Sequence, residues 1–177
     1  MPSSRPGRLA SVAERVLGID PGSRVTGYGI IDAEADTARY VASGAVTTAR
    51  GPFTSRLADI YSGVADVIAE HAPTTLAIEE VFFARNAQSA LKLGQARGVA
   101  IAAAVAATLQ VHEYAPRAVK LAVVGSGRAS KAQVQYMVRA ILGLDTEPQA
   151  DAADALAVAI CHVNTRSKAR EGLGKGD

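Results

Sequence analysis

The chain has 177 residues, 49% of them apolar and 20% charged, which suffices for one packed core and excludes both wholesale disorder and a disulfide-stapled miniprotein. Its longest uncharged run, residues 98–111, is mostly Ala and falls short of the ~20 strongly apolar residues of a membrane span, so no membrane association is expected. The net charge of +2 hides a blocked pattern: residues 16–80 carry four bases and nine acids, 81–131 carry seven bases and one acid, and 132–165 carry one base and four acids. A basic middle between acidic flanks suits a polyanion held beside a carboxylate cluster.

In chain order, Val16 to Asp20 reads as a buried strand closed by the turn Pro21-Gly22-Ser23. Val25 to Asp32 and Tyr40 to Thr48 continue it as an antiparallel meander. Leu57, Ile60, Tyr61, Val64, Val67 and Ile68 recur at helical spacing, with Pro73 as the stop. Thr75 to Glu80 is another apolar strand. Asn86 can cap a long Ala-rich helix running to about Leu109, and Val111 to Ala115 forms a fifth strand.

Pro116 starts a short helix. Ser130 and Gln133 have capping-box spacing for a helix ended by Gly143, and Glu147-Pro148 opens a last helix reaching about Asn164. The expected architecture is α/β: a mixed five-stranded sheet with helices on both faces, without internal repeats. One domain is expected over 16–164, between a basic tail at 1–15 and a tail at 165–177, both expected to be mobile. The single Cys161 cannot form an intrachain disulfide, and no apolar signal segment precedes Val16, so a cytoplasmic location is expected.

Four positions carry the functional argument. Asp20 and one of Glu79 and Glu80 end predicted buried strands, while Asp151 and Asp154 share a helix face by their i, i+3 spacing. A carboxylate at the end of an apolar strand is costly to bury unless it is paired or binds a cation. Oxygen donors without clustered Cys or His favour Mg²⁺ or Mn²⁺, and two such ions, typically ~3.5–4 Å apart, can drive in-line phosphodiester hydrolysis. Plainer readings exist for each acid: a turn-forming Asp20, a helix-dipole role for Asp151 and Asp154, and a Glu79/Glu80 pair whose facing strand alternation cannot settle.

The motifs Leu17-Gly-Ile-Asp-Pro-Gly-Ser-Arg-Val-Thr-Gly-Tyr-Gly29, Ile78-Glu-Glu-Val-Phe82, Ala90-Leu-Lys-Leu-Gly-Gln-Ala-Arg-Gly-Val99 and Gln149-Ala-Asp-Ala-Ala-Asp-Ala-Leu156 closely resemble the RuvC family of bacterial Holliday-junction resolvases. The resemblance spans about Val16 to His162. It implies an RNase H-like fold and a homodimer that nicks two opposed strands of four-way junction DNA symmetrically. It further implies 5′-phosphate and 3′-hydroxyl products and cooperation with a RuvA–RuvB branch-migration motor. The family's acidic positions fall on Asp20, Glu79, Asp151 and Asp154, with two Mg²⁺ or Mn²⁺ ions per site. Glu80 is an acid that the family pattern does not require.

Phe82 is then the ring that faces an unpaired base, and Phe83 the alternative. Lys92, Arg97, Lys120, Arg128 and Lys131 are expected phosphate contacts, with Lys120 and Lys131 nearest the cut, and the Ala-rich helix becomes a dimer element. Gly125 to Ser130 can form an anion-binding turn. His71, His112, His162 and Cys161 are expected in core or surface roles.

Two other readings compete. Gly18-Ile-Asp-Pro-Gly-Ser23 resembles the phosphate hairpin of actin-like and sugar-kinase phosphotransferases, but those need two such lobes and this chain has one. Tyr28-Gly29 stand where a P-loop requires Lys and Ser/Thr. A non-catalytic module that reads branched DNA by shape would not need four converging acids, which repel phosphate.

Overall fold

A computed structural model describes residues 14–34, 37–81 and 86–173. Phe82, Phe83 and nearly all of the 1–15 tail lie outside the described residues. The elements are β1 (Glu14–Asp20), β2 (Val25–Glu34), β3 (Thr37–Thr47), α1 (Phe53–His71), β4 (Thr75–Glu79), α2 (Ala87–Ala106), β5 (Gln110–Tyr114), α3 (Pro116–Val124), α4 (Lys131–Leu142) and α5 (Ala150–Leu173).

They form one mixed sheet of order β3-β2-β1-β4-β5, with β1 and β2 and β2 and β3 antiparallel and β1, β4 and β5 parallel. The meander and the five strands are as the sequence predicts. Local signals act where expected. Asn86 accepts a hydrogen bond from Ser89 N–H at 2.8 Å, Ser130 and Gln133 form a reciprocal capping box, and Gly143 closes α4 at φ 62°.

The two sheet faces carry separate cores. On one, Val16, Ile31 and Ala77 pack against α3, α4 and α5 through Val119, Val123, Val134, Val138, Leu156 and Ile160. On the other, Leu17, Ile19, Ile30, Leu76 and Ile78 pack against α1 and α2 through Ile60, Val64, Ala96 and Ala100. Both faces of β1 and β4 are therefore buried, which is why these strands read as continuous apolar runs instead of alternating ones.

β2 runs on to Glu34 and β3 starts at Thr37, so these strands are longer than expected, and the two terminal boundaries differ as well. The sheet begins at Glu14, inside the predicted tail, because its first residues are held by charge. Arg15 donates to Asp32 at 2.7 and 3.0 Å, Arg39 also pairs with Asp32, and Thr75 Oγ1 donates to Glu14 at 2.5 Å. At the other end α5 continues beyond Asn164 to Leu173, with Arg166 paired to Glu14. His162 is buried beneath this pairing, Nδ1 2.7 Å from the Tyr114 hydroxyl, and Cys161 is buried beside it in sequence.

Helix α5 lies in direct backbone contact with the sheet. A Cβ on Gly18 would stand 2.1 Å from the Ala155 carbonyl oxygen, and one on Gly27 would stand 2.0 Å from the Asp151 carbonyl oxygen. Both obstacles are backbone, so neither can swing aside, and any side chain there must lift the helix. Gly18→Ala is expected to lower stability by about 1–3 kcal/mol or more, read as a fall in the urea midpoint at unchanged slope.

Candidate active site

Strand alternation puts the first two acids on the α5 side. Val16 and Gly18 face α5, so Asp20, two residues on, does too. Ala77 belongs to the same core, whereas Leu76 and Ile78 belong to the opposite one, so Glu79 faces α5 and Glu80 lies beyond the strand end. Strand parity left the facing of Glu79 and Glu80 open; the core that Ala77 joins puts Glu79 on the α5 side, while Glu80 lines an adjoining cleft with Asp20 and Glu79. Helix α5 brings the other two acids because its first turns lie directly over Gly27 and Gly18.

Asp20, Glu79 and Asp154 line a cleft of about 260 Å³ together with Lys120, Lys131 and Pro116. Asp20 is pushed up to about 7, chiefly by burial, then by the charges of Asp154 and Glu79 and more weakly of Asp151, with Lys131 opposing them. Glu79 is raised for the same reasons, burial first and Asp154 next, against Lys131 and Lys120. Lys131 donates to Asp154 Oδ2 at 3.0 Å and is raised by that bond. The arrangement is open: among the described residues no three acidic, His or Cys side chains stand close enough to enclose an ion.

The donor chemistry nonetheless fits hard divalent cations. Asp20 lies within electrostatic reach of Asp154, Glu79 and Asp151, burial raises both Asp20 and Glu79, and Lys131, with Lys120 toward Glu79, supplies the counter-charge. Such a donor set suits a hard divalent cation.

The expected phosphate contacts divide. Lys120 and Lys131 flank the carboxylates. Lys92 stands 6.0 Å from the centre of the Phe53 ring, on the α1–α2 side, and Arg128 is exposed in the turn before α4. Arg97 is placed differently from expectation. Its side chain is only 18% exposed, paired with Glu113 and donating through Nε to the Glu79 carbonyl at 3.0 Å. With both sides of the guanidinium engaged between β4 and β5, Arg97 braces the strand end that carries Glu79 instead of presenting itself to phosphate. The sequence offered no signal for this, since Glu113 appeared only as the lone acid of a basic block.

A family model for the crossover junction endodeoxyribonuclease RuvC matches residues 16–162. Relatives of that name from Photobacterium profundum and Vibrio campbellii are 59% and 57% identical over 150 residues, covering 85% of this chain and 87% of each relative. Among solved structures, T. thermophilus RuvC in complex with a Holliday junction substrate superposes with a TM-score of 0.82 at 37% identity, over 88% of this chain and 96% of that one. The yeast mitochondrial Holliday junction resolvase Ydc2, at 13% identity and TM-score 0.63 over 92% of this chain and 85% of that one, shares the fold. With its RNase H-like mixed sheet and a match along most of its length, the chain belongs to the RuvC family of crossover junction endodeoxyribonucleases.

Proposed function

We infer that the protein resolves Holliday junctions in DNA recombination and repair by hydrolysing phosphodiester bonds in two opposed strands, and that Asp20, Glu79, Asp151 and Asp154 are its metal-binding catalytic residues. The observation carrying this reading is the convergence of Asp20, Glu79 and Asp154 on one cleft, with Asp151 within electrostatic reach and two lysines on the rim. Of the ions suited to these oxygens, Mg²⁺ or Mn²⁺, two per site, match the donor number.

When bound, such cations supply nucleophile activation and charge stabilisation at the leaving oxygen. The chain's own residues do the rest. No histidine lines the cleft of Asp20, Glu79 and Asp154, so no imidazole of this chain serves there as the base that activates water. Lys131, on a side chain 79% exposed, can leave Asp154 for a non-bridging phosphate oxygen seated over the acids. Lys120 reaches the same place from α3. Pro116, at the head of α3, forms an apolar wall on that side. The products are a 5′-phosphate and a 3′-hydroxyl. Phe82 follows Glu79 closely in sequence and is assigned to stack on a base at the opened junction centre. Lys92 and Arg128 are assigned to more distant phosphates.

Symmetric cutting calls for a homodimer. Helix α2 presents an outer face of Leu91, Gly94, Gly98, Ala102 and Val105, all exposed and none charged, with Leu91 69% and Val105 57% exposed. Small residues on one helix face permit close helix pairing. Docking onto a RuvA–RuvB motor in the cytoplasm follows from the family resemblance; no helix among the described residues is long and apolar enough to cross a membrane.

Three outcomes are expected. Asp20→Asn binds a synthetic four-way junction but does not cut it in Mg²⁺ or Mn²⁺; cutting at the wild-type rate would remove Asp20 from the site. In chelator, the raised carboxyl of Asp20 favours the folded state below pH 4 and opposes it as pH rises through about 7. Asp20→Asn is therefore expected to be more stable than wild type at pH 8, by roughly 1–4 kcal/mol, with the gap closing toward pH 4. Val105→Glu is expected to give monomers in sedimentation velocity while leaving the circular dichroism spectrum unchanged.

A further inference from the structure

The acidic stretch 16–80 contains only four basic residues, Arg24, Arg39, Arg50 and Arg56. Arg39 is paired with Asp32. The other three converge on one cleft of about 600 Å³ between the start of β2, the end of β3 and the head of α1. None of the three has an ion pair among the described residues, and Arg24 and Arg50 are exposed.

The cleft is built, not incidental. Thr48 N–H donates to the Arg24 carbonyl at 3.0 Å, fixing the two chain segments side by side. Arg56 donates through Nη1 to the Ser23 carbonyl at 3.4 Å and lies 5.2 Å from the centre of the Phe53 ring, while its buried Nε has no partner. No acidic residue lines the cleft, and Asp59 of α1 accepts the Ala49 N–H at 2.9 Å. Three guanidinium groups with a spare donor are a demand for an anion, and guanidinium forks match phosphate oxygens better than any other side chain.

Position says which anion. Asp20 pairs with Gly27 in the sheet, and Val25 pairs with Thr47 on the same side of that pair as the strand end, so the cleft opens at the end of the sheet where the carboxylates lie, across β2 from them. A backbone phosphate cut at Asp20 has neighbours a few ångströms away along its own strand. Lys120 and Lys131 stand on the opposite, α3–α4 side.

We propose that the cleft of Arg24, Arg50 and Arg56 seats a backbone phosphate of the junction strand as it leaves the active site, so that the cut strand is gripped on both sides of the carboxylates. This rests on the junction-cutting reading above.

The test is binding of a fluorescein-labelled four-way junction by the full chain in chelator, by anisotropy across a salt series, with thermal melts alongside. Arg24→Gln and Arg50→Gln are each expected to weaken binding about 5- to 10-fold and to reduce the salt slope by about 1, at unchanged melting temperature. Arg56→Lys, which keeps the charge, is expected to lose the grip partially while keeping the Ser23 contact. Wild-type slopes in both glutamine variants overturn the proposal. So does a wild-type slope combined with a phosphate-induced rise in melting temperature that Arg24→Gln abolishes, which makes the cleft a small-anion site. Asp20→Asn run in parallel for cutting separates the two readings: if it cuts normally the carboxylate assignment falls, whatever the arginine variants do.

Discussion

The structure turns on how closely helix α5 lies against β1 and β2. Gly18 and Gly27 allow helix backbone to touch strand backbone, at distances where any Cβ would collide with a carbonyl oxygen. That contact sets the height and rotation of the helix, and with them the positions of Asp151 and Asp154 over Asp20. The rest of α5 is buried from Ala152 to Val163 with the exception of Asp154, and His162 is the other polar side chain in that stretch. Packing energy holds the carboxylates together against their own repulsion.

The cost of that arrangement appears in the titration behaviour. Asp20 and Glu79 are held above the usual carboxylate range by burial and by one another, and Lys131 on Asp154 only partly offsets it. A region that stores repulsion in this way is suited to multivalent positive charge, in keeping with the proposed metal site. Arg97 serves the same end from behind, tying the Glu79 carbonyl to Glu113 so that the strand end does not yield. Charge elsewhere is similarly rearranged by folding: bases that looked sparse in the acidic first half of the chain meet in one cleft, at the same end of the sheet as the acids and across β2 from them.

Much of this was legible in the sequence. The strands, their antiparallel meander, the Asn86 cap, the Ser130–Gln133 box and the Gly143 stop follow from spacing rules that act over a few residues, and all five appear where those rules place them. The four acids could be nominated because apolar strands ending in carboxylates, and two acids three apart on a helix, are unusual locally. The terminal boundaries were harder to read. Glu14 and Arg15 look like tail residues until Asp32, Thr75 and Arg166, distant in the chain, supply their partners.

The sequence by itself determined the element order, the helix caps, the fold class and the residue types available for chemistry, because each depends on near neighbours or on pattern. Only the tertiary structure decided that the Glu79 side chain lies on the α5 side of the sheet, that Arg97 braces a strand, and that Arg24, Arg50 and Arg56 share a cleft. Those outcomes depend on which core a strand residue joins and on which distant segments meet, and pairings across a sheet leave no mark in the order of residues along the chain.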